Sequence, residues 1–182
     1  MPKLDKYNFR DYVESDFNIN FKNKKMSVLF FIKNKKFRFL YLYRLSAKLH
    51  RLNNKGFIFK VVRKLVAMYY GSLQHDFCCE IPQSTNVGKG LNLPHPYGII
   101  INHSTIIGDN CTILQFVTFG NNSNKGNNNL PVIGNDVVIG AGAKIIGPCN
   151  IGNNVKIGAN AVVVSDISSS CIAAGVPAKV IR

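Results

Sequence analysis

Residues 133–158 read IGNDVVIGAGAKIIGPCNIGNNVKIG, and this stretch decides the fold because isoleucine returns at every sixth position. The same spacing, with Ile, Val, Leu or Phe, extends over residues 81–163, and a glycine often follows the repeating residue. Neither the period of an α-helix nor the alternation of a simple strand explains this pattern. A six-residue period predicts a parallel β-helix, in which each repeat supplies one short strand and one tight turn. The repeating residues are Ile81, Val87, Leu93, Ile99, Ile101, Ile107, Ile113, Phe119, Ile133, Ile139, Ile145, Ile151, Ile157 and Val163.

Two irregularities in the spacing predict where the β-helix departs from regular coils. The register slips by two residues between Ile99 and Ile101, and again between Phe119 and Ile133. The second slip contains NNSNKGNNN at residues 121–129, which is too polar for the edge of a coil. We therefore expect an exposed loop, extruded at about residues 120–131. The last ten residues, AAGVPAKVIR, leave the six-residue register and predict a C-terminal cap.

The charge of the chain divides it into two regions. The formal net charge is +14, and residues 1–71 hold 17 Lys or Arg against 4 Asp or Glu, whereas residues 72–182 hold 6 against 5. The sequence predicts a basic, mainly helical segment over residues 1–74 and a β-helix domain over residues 75–182. Asn8 is expected to cap a first helix. A later helix is expected from Phe57 to Tyr70, closed by Gly71.

The apolar residues of the helical segment have two compatible interpretations. They can cover the first coil of the β-helix, which otherwise exposes a bare strand edge. The mixture of aromatic and basic residues over 26–70 also suits contact with the inner face of the cytoplasmic membrane. Nucleic acid is not an expected partner, because the segment contains no recognised binding motif. Met1 to Asp5 do not resemble a secretory leader, and the five cysteines lack metal-like spacing, so we expect a cytoplasmic location and no metal.

His95 is the candidate general base. It lies in LPHPYG at residues 93–98, where two prolines restrict the backbone beside a register slip. An imidazole group in general titrates near neutral pH, which suits proton transfer. His103 lies beside the same slip and is the weaker candidate. His50 and His75 fall before the first predicted coil, so only His95 and His103 remain in the coils, which argues against a metal centre built from histidines.

Four motifs resemble those of the hexapeptide-repeat acyltransferases. The resemblance is closer to the serine acetyltransferase-like branch, which includes bacterial O-acetyltransferases of capsule, colanic acid and related polysaccharides. It covers about residues 75–182. The motifs are LPHPYG at 93–98, ILQFVTFG at 113–120, IGAGA at 139–143 and AGVPAK at 174–179.

This resemblance implies a mainly β protein, a left-handed parallel β-helix with an N-terminal helical segment, assembled as a homotrimer. It also implies acetyl-CoA as co-substrate. The catalytic histidine of the family falls on His95, and the carboxylate that orients it falls on Glu80. The positions of the acetyl-CoA groove fall on Gly120, Ala141, Ala159 and Lys179.

Two departures from the family pattern concern the acceptor. Pro94 stands where serine acetyltransferases have an aspartate that helps to hold serine, and Asn129 and Leu130 stand where they have an Arg-His pair before Pro131. Charged hydrogen bonds contribute roughly 1.5–3 kcal/mol each, so their loss disfavours an amino-acid substrate. We therefore expect an acetyl-CoA-dependent O-acetyltransferase that acts on a sugar hydroxyl of a bacterial surface polysaccharide or its precursor. The alternatives are a serine O-acetyltransferase of cysteine biosynthesis and a non-catalytic carbohydrate-binding or scaffold solenoid.

Overall fold

The N-terminal part of the chain is helical. The computed structural model describes residues 7–52, 56–121 and 130–182. Asn8 caps the first helix, as predicted: its side chain accepts a hydrogen bond from the Asp11 amide, and the Asp11 carboxylate accepts one from the Asn8 amide. The helices of the described ranges are α1 (Phe9–Asn20), α2 (Val28–Lys33), α3 (Lys35–Arg51) and α4 (Phe57–Asp76).

Helix α4 continues six residues beyond Tyr70, so the predicted end at Gly71 is wrong. A glycine inside a helix costs about 1 kcal/mol relative to alanine. Leu73, one turn after Tyr70, is only 2% exposed, and burying a leucine side chain contributes roughly 1.5–3 kcal/mol. Packing therefore outweighs the local preference of Gly71, and the helix ends only at Asp76.

The strands form three sheets, and from the second strand to the eleventh the chain visits the three sheets in a fixed rotation. Apart from one C-terminal strand, all pairings between these strands are parallel. This arrangement confirms the predicted parallel β-helix. Sheet one contains β1 (Asn86–Val87), β3 (Ile106–Ile107), β6 (Val132–Ile133) and β9 (Asn150–Ile151); sheet two contains β4 (Thr112–Ile113), β7 (Val138–Ile139), β10 (Lys156–Ile157), β12 (Ile172–Gly175) and β13 (Ala178–Val180); sheet three contains β2 (Ile100–Ile101), β5 (Thr118–Gly120), β8 (Lys144–Ile146) and β11 (Val162–Val163).

The repeating residues fill the interior of the coils, as the six-residue spacing predicts. Ile113, Ile139 and Ile145 are fully buried. Small or β-branched residues four positions after the repeating ones are also fully buried, among them Cys111 and Ala143. The interior therefore alternates large and small side chains, which lets neighbouring coils stack at close-packed density.

One register slip lies earlier in the chain than predicted. Ile101 pairs with Phe119, and the Ile100 amide donates to the Val117 carbonyl, so Ile99 lies level with Val117 rather than with a repeating residue. Ile99 and Ile101 are both buried because residues two apart on a strand point to the same side. The two extra residues therefore fall between Leu93 and Ile99, in the turn that contains His95.

The helices pack on the first coil, as predicted, and hydrogen-bond to its backbone. The Tyr70 hydroxyl donates to the Ile81 carbonyl at 2.7 Å, and the Tyr43 hydroxyl donates to the Thr85 carbonyl at 3.2 Å. Burial raises the pKa of Tyr43 to about 12, so its hydroxyl stays protonated and remains a donor. No helix within the described ranges is long and apolar enough to cross a membrane.

The other end of the β-helix carries an antiparallel hairpin of β12 and β13, at the position of the predicted cap.

The predicted loop falls mainly on residues 122–129, which lie outside the described residues. The predicted boundary at residue 74 falls two residues before the end of α4, and the division into two regions stays a prediction.

Candidate active site

His95 lies in an enlarged turn between sheets two and three. Ile101 lies eight positions after Leu93, whereas Phe119, its partner in the next coil, lies six positions after Ile113. The extra length moves the chain outward, and the His95 side chain is exposed.

Several contacts hold the backbone of this turn in place. The Cys79 thiol donates to the Pro96 carbonyl at 3.1 Å, and the Gly98 amide donates to the Phe77 carbonyl at 3.0 Å. Burial raises the pKa of Cys79, so this thiol remains a proton donor. The rings of Phe77 and Tyr97 pack edge to face with centroids 5.3 Å apart. His95 is thus exposed on a backbone that its neighbours fix.

The turns that follow in later coils stack directly on the His95 turn. The Phe116 amide donates to the Tyr97 carbonyl at 2.9 Å. One coil further, the Gly142 amide donates to the Gln115 carbonyl, and then the Asn160 amide donates to the Ala141 carbonyl, both at 2.8 Å. These hydrogen bonds align the turns at 94–98, 114–117, 140–143 and 158–161 along one edge of the β-helix. We call these four turns the histidine edge.

Ala141 and Ala159, two of the predicted groove residues, occupy equivalent positions on the histidine edge. Both residues are at least partly exposed. In the described part of the chain, the Ala141 amide makes no intramolecular hydrogen bond. The same holds there for both the amide and the carbonyl of Ala159. A small side chain beside an available backbone donor is what an extended ligand arm needs to lie against the chain.

Gly120 and Lys179 lie outside these four turns. Gly120 ends β5 in sheet three, opposite Ile146 of β8. A Cβ atom at Gly120 would come within 3.2 Å of the Ile146 Cδ1 atom, a contact that a small shift of this flexible side chain would relieve. Lys179 is an exposed residue of β13, opposite Ala174 in the C-terminal hairpin. The structure therefore joins His95, Ala141 and Ala159 on one edge, and places the other two predicted groove residues beside or beyond it.

The structure does not join Glu80 to His95. Among the described residues, no hydrogen bond or ion pair connects the two side chains. Glu80 is exposed, and its backbone pairs with Ile100 at the start of sheet three. It lines a cavity of about 420 Å³ between the helices and the first coil, together with His50, Tyr70, Gln74 and Gln83. The orienting role of Glu80 stays a prediction.

Phe116 is a residue of this edge that the sequence analysis missed. It has a φ angle of 61°, and the residue is 59% exposed. The equivalent positions of the other three turns hold Gly98, Gly142 and Asn160, which adopt positive φ more readily. The Lys144 ammonium donates to the Phe116 carbonyl at 2.7 Å and fixes this conformation. The signal was present in ILQFVTFG, where a bulky residue interrupts a position that is otherwise small or polar.

Metal ligands do not gather at this edge: no group of three or more His, Cys, Asp or Glu that could hold a metal ion occurs among residues 7–52, 56–121 and 130–182. What the edge offers is an exposed imidazole followed by a line of small residues with available backbone groups. This arrangement fits group transfer from a long, extended donor.

Comparison with known proteins places the fold in the class of hexapeptide-repeat transferases. The family described as "Bacterial transferase hexapeptide (six repeats)" matches residues 131–165. A serine acetyltransferase of Helicobacter pylori (strain 26695) is 39% identical over 142 residues, which are 78% of each chain. A serine acetyltransferase of Synechococcus elongatus is 41% identical over 102 residues, 56% of this chain and 42% of the relative. The chain belongs to the serine acetyltransferase family.

Solved structures of the same family agree with this assignment. Soybean serine acetyltransferase in complex with serine has a TM-score of 0.77 and 28% identity, covering 95% of this chain and 69% of that one. A serine acetyltransferase in complex with CoA has a TM-score of 0.74 and 29% identity, with the same coverage of both chains. These neighbours and the parallel sheets fit a left-handed β-helix. The chain matches less than half of the length of some curated relatives, such as the Synechococcus protein.

The predicted sugar acceptor is wrong, and the expected closeness to the polysaccharide branch is not supported. The relatives and the solved neighbours are serine acetyltransferases. The prediction gave three positions at the acceptor end more weight than the similarity of the whole coil region. Pro94 concerns a single position, whereas the similarity to the Helicobacter pylori relative extends over 142 residues.

Proposed function

We propose that this protein is a serine O-acetyltransferase that uses acetyl-CoA as the acetyl donor. The observation that carries the proposal is the 39% identity to the Helicobacter pylori serine acetyltransferase over 78% of both chains. The complexes of structural neighbours with serine and with CoA support the two substrates. The histidine edge supports the same reaction, because it offers a candidate base at one end of an extended groove.

In this proposal His95 acts as the general base. Its imidazole takes the proton of the serine hydroxyl while that oxygen attacks the thioester carbonyl of acetyl-CoA. The tetrahedral intermediate then collapses, the carbon–sulfur bond breaks, and the leaving thiolate receives the proton from the imidazolium. The products are O-acetylserine and CoA. The contacts that fix the turn through Cys79 and Phe77 keep the backbone that carries the imidazole in place for both proton transfers.

The active unit in this proposal is a homotrimer. The exposed position of His95 supports it, because a neighbouring solenoid can enclose an edge that a single chain leaves open. The expected molar mass in solution is three times the 20.2 kDa of one chain. Light scattering on the eluting protein measures this directly.

The test of the function is thiol release from acetyl-CoA by the purified chain with L-serine, together with mass spectrometry of the product. We expect serine-dependent release and O-acetylserine, and none with L-alanine, which lacks the hydroxyl. Pro94 and Leu130 provide no charge for the serine ammonium and carboxylate. The KM for L-serine should therefore be at least about tenfold higher than in relatives that carry the charged residues. Intact binding of CoA without any serine-dependent release would reject the proposal.

The groove along the histidine edge can be tested separately. Replacing Ala141 or Ala159 with leucine is expected to raise the KM for acetyl-CoA by about tenfold, roughly 1.4 kcal/mol, because the longer side chain separates the donor from the backbone. The value of kcat should change little, since His95 is untouched. Ser104→Leu is the matched control: it adds a similar volume at an exposed turn outside the edge. An equal rise of KM in the control would mean that the acetyl-CoA groove does not lie along this edge.

A further inference from the structure

Helix α4 has a second apolar face that no part of the described chain covers. Its inner side packs on the core through Tyr70 and Leu73, each 2% exposed. In its first 13 residues, seven large apolar side chains are between 41% and 79% exposed. At 100° per residue these side chains span an arc of about 140°. They are Phe57, Ile58, Val61, Val62, Leu65, Met68 and Tyr69, and we call this surface the outer face of α4.

Two of the three cations of α4 lie beside this outer face. Lys64 falls about 20° outside the edge of the apolar arc, and Lys60 about 60° outside it. Arg63 falls about 170° from the centre of the arc, on the opposite side of the helix, and all three residues are exposed. The other edge of the arc adjoins the buried residues. The surface thus has a broad apolar centre with basic residues along its free side.

The carboxylates of the described helices are already engaged elsewhere. Asp11 belongs to the cap of α1, Glu14 pairs with Arg10, Asp16 pairs with Arg44, and Asp76 pairs with Lys35. Between Phe57 and His75 the sequence contains no Asp or Glu. Between Phe57 and His75, helix α4 therefore carries no negative charge of its own to neutralise the basic side of the outer face.

From this combination we propose that the outer face of α4 docks on the surface of an anionic lipid bilayer. Apolar side chains enter the boundary between headgroups and acyl chains, and Lys60 and Lys64 contact the anionic headgroups. A second copy of the chain fits this surface less well. Each copy of α4 would bring Lys60 and Lys64 and, between Phe57 and His75, no carboxylate, so charge repulsion would oppose the contact.

The proposal is independent of the acetyl transfer reaction, and its test uses another readout. The full chain is sedimented with vesicles of phosphatidylcholine alone and with vesicles containing about 30% phosphatidylglycerol. We expect binding to the anionic vesicles that weakens as salt is added, and little binding to the neutral ones. Turnover of L-serine, measured on the same preparations, should stay unchanged by the α4 substitutions because none of them touches the histidine edge.

Two pairs of substitutions separate the apolar and the electrostatic contributions. Ile58→Ser with Leu65→Ser is expected to weaken binding to anionic vesicles by about 10–100-fold. Lys60→Gln with Lys64→Gln is expected to weaken it by about 10–30-fold. The matched control is Val176→Ser with Ile181→Ser, which removes side chains that are 73% and 67% exposed at the other end of the β-helix. This control should bind as the unmodified chain does.

Three outcomes would overturn the proposal. The first is the absence of binding to anionic vesicles at physiological salt. The second is equal binding to neutral and anionic vesicles, or an equal loss of binding in the control. The third is a change in molar mass on substitution of Ile58 and Leu65 without a change in vesicle binding, which would assign the outer face to a second copy of the chain. None of these results bears on the proposed transferase activity, which the thiol-release assay tests separately.

Discussion

Replacing His95 with alanine is expected to lower kcat for acetyl transfer to L-serine by about 10²–10⁴-fold. This range is the usual contribution of a general base, because the serine hydroxyl would otherwise have to lose its proton to water. The KM for acetyl-CoA should change little, since the groove residues Ala141 and Ala159 lie in later coils of the same edge. The measurement is steady-state thiol release with both substrates varied.

His103→Ala is the matched control for this prediction. His103 is also an exposed histidine beside β2, but it lies in the turn between sheets three and one, away from the histidine edge. Its replacement should leave kcat within about twofold of the unmodified enzyme. A similar fall in both variants would mean that the loss has a structural origin and that His95 is not the base.

Glu80→Gln tests the orienting role that the family resemblance implies. A positioning carboxylate should lower kcat when neutralised, leave the KM for acetyl-CoA unchanged and shift the pH dependence of kcat. The structure shows Glu80 beside His50 and Gln83 in the cavity next to α4, without a hydrogen bond to His95. If the variant retains full activity and an unchanged pH profile, the orienting role belongs to another group.

The six-residue spacing was enough to predict the coils because a β-helix repeats one local rule. Each repeating residue meets its equivalents in neighbouring coils, so Ile139 and Ile145 are buried wherever the rule holds. The rule fails at Ile99, where two extra residues enter the chain, since the spacing alone does not say on which side of a slip they lie. For the same reason the spacing located His95 near an irregular turn without showing how the turn is held.

The contacts between the helices and the coils could not be predicted from the sequence, because they join residues that are distant along the chain. The end of α4 depends on the burial of Leu73 against residues that are distant along the chain, and this packing overrides the glycine at 71. The same limit applies to Glu80: a separation of fifteen residues from His95 matches the family, but the direction of its side chain depends on the helices that flank the first coil. The pairing of Asp16 with Arg44 is a third example, because no local pattern links residues on different helices.

Replacing Arg44 with methionine is expected to lower the free energy of unfolding by about 3–5 kcal/mol, because it leaves a buried carboxylate without its partner. Arg44 and Asp16 are 6% and 2% exposed. The guanidinium donates to Asp16 through Nε at 2.7 Å and Nη2 at 3.0 Å, and to the Val87 and Gly88 carbonyls at 2.8 and 2.6 Å. The Asp16 carboxylate also accepts from the Leu91 amide at 2.8 Å. The pair thus joins α1 and α3 to the first coil.

The charged state of Arg44 follows from its surroundings. Burial by itself lowers the pKa of Arg44, but the adjacent Asp16 carboxylate and its hydrogen bonds outweigh burial and raise that pKa above its usual value. The guanidinium therefore stays charged at every pH at which the protein is folded. Removing it strands the Asp16 carboxylate and also leaves the Val87 and Gly88 carbonyls without donors.

A double-mutant cycle with Asp16→Asn, Arg44→Met and both together isolates the pair. The double variant should be less destabilised than the sum of the two single variants, because neither charge is then left alone in the interior. The matched control is Arg10→Met in the exposed pair with Glu14 on α1, which should change the free energy of unfolding by less than about 1 kcal/mol. Thermal unfolding should show the difference as a fall in Tm of about 6–20 °C for Arg44→Met against a few degrees for the control. Equal, small effects at Arg44 and Arg10 would mean that apolar packing alone, through residues such as Tyr43, holds the helices on the first coil.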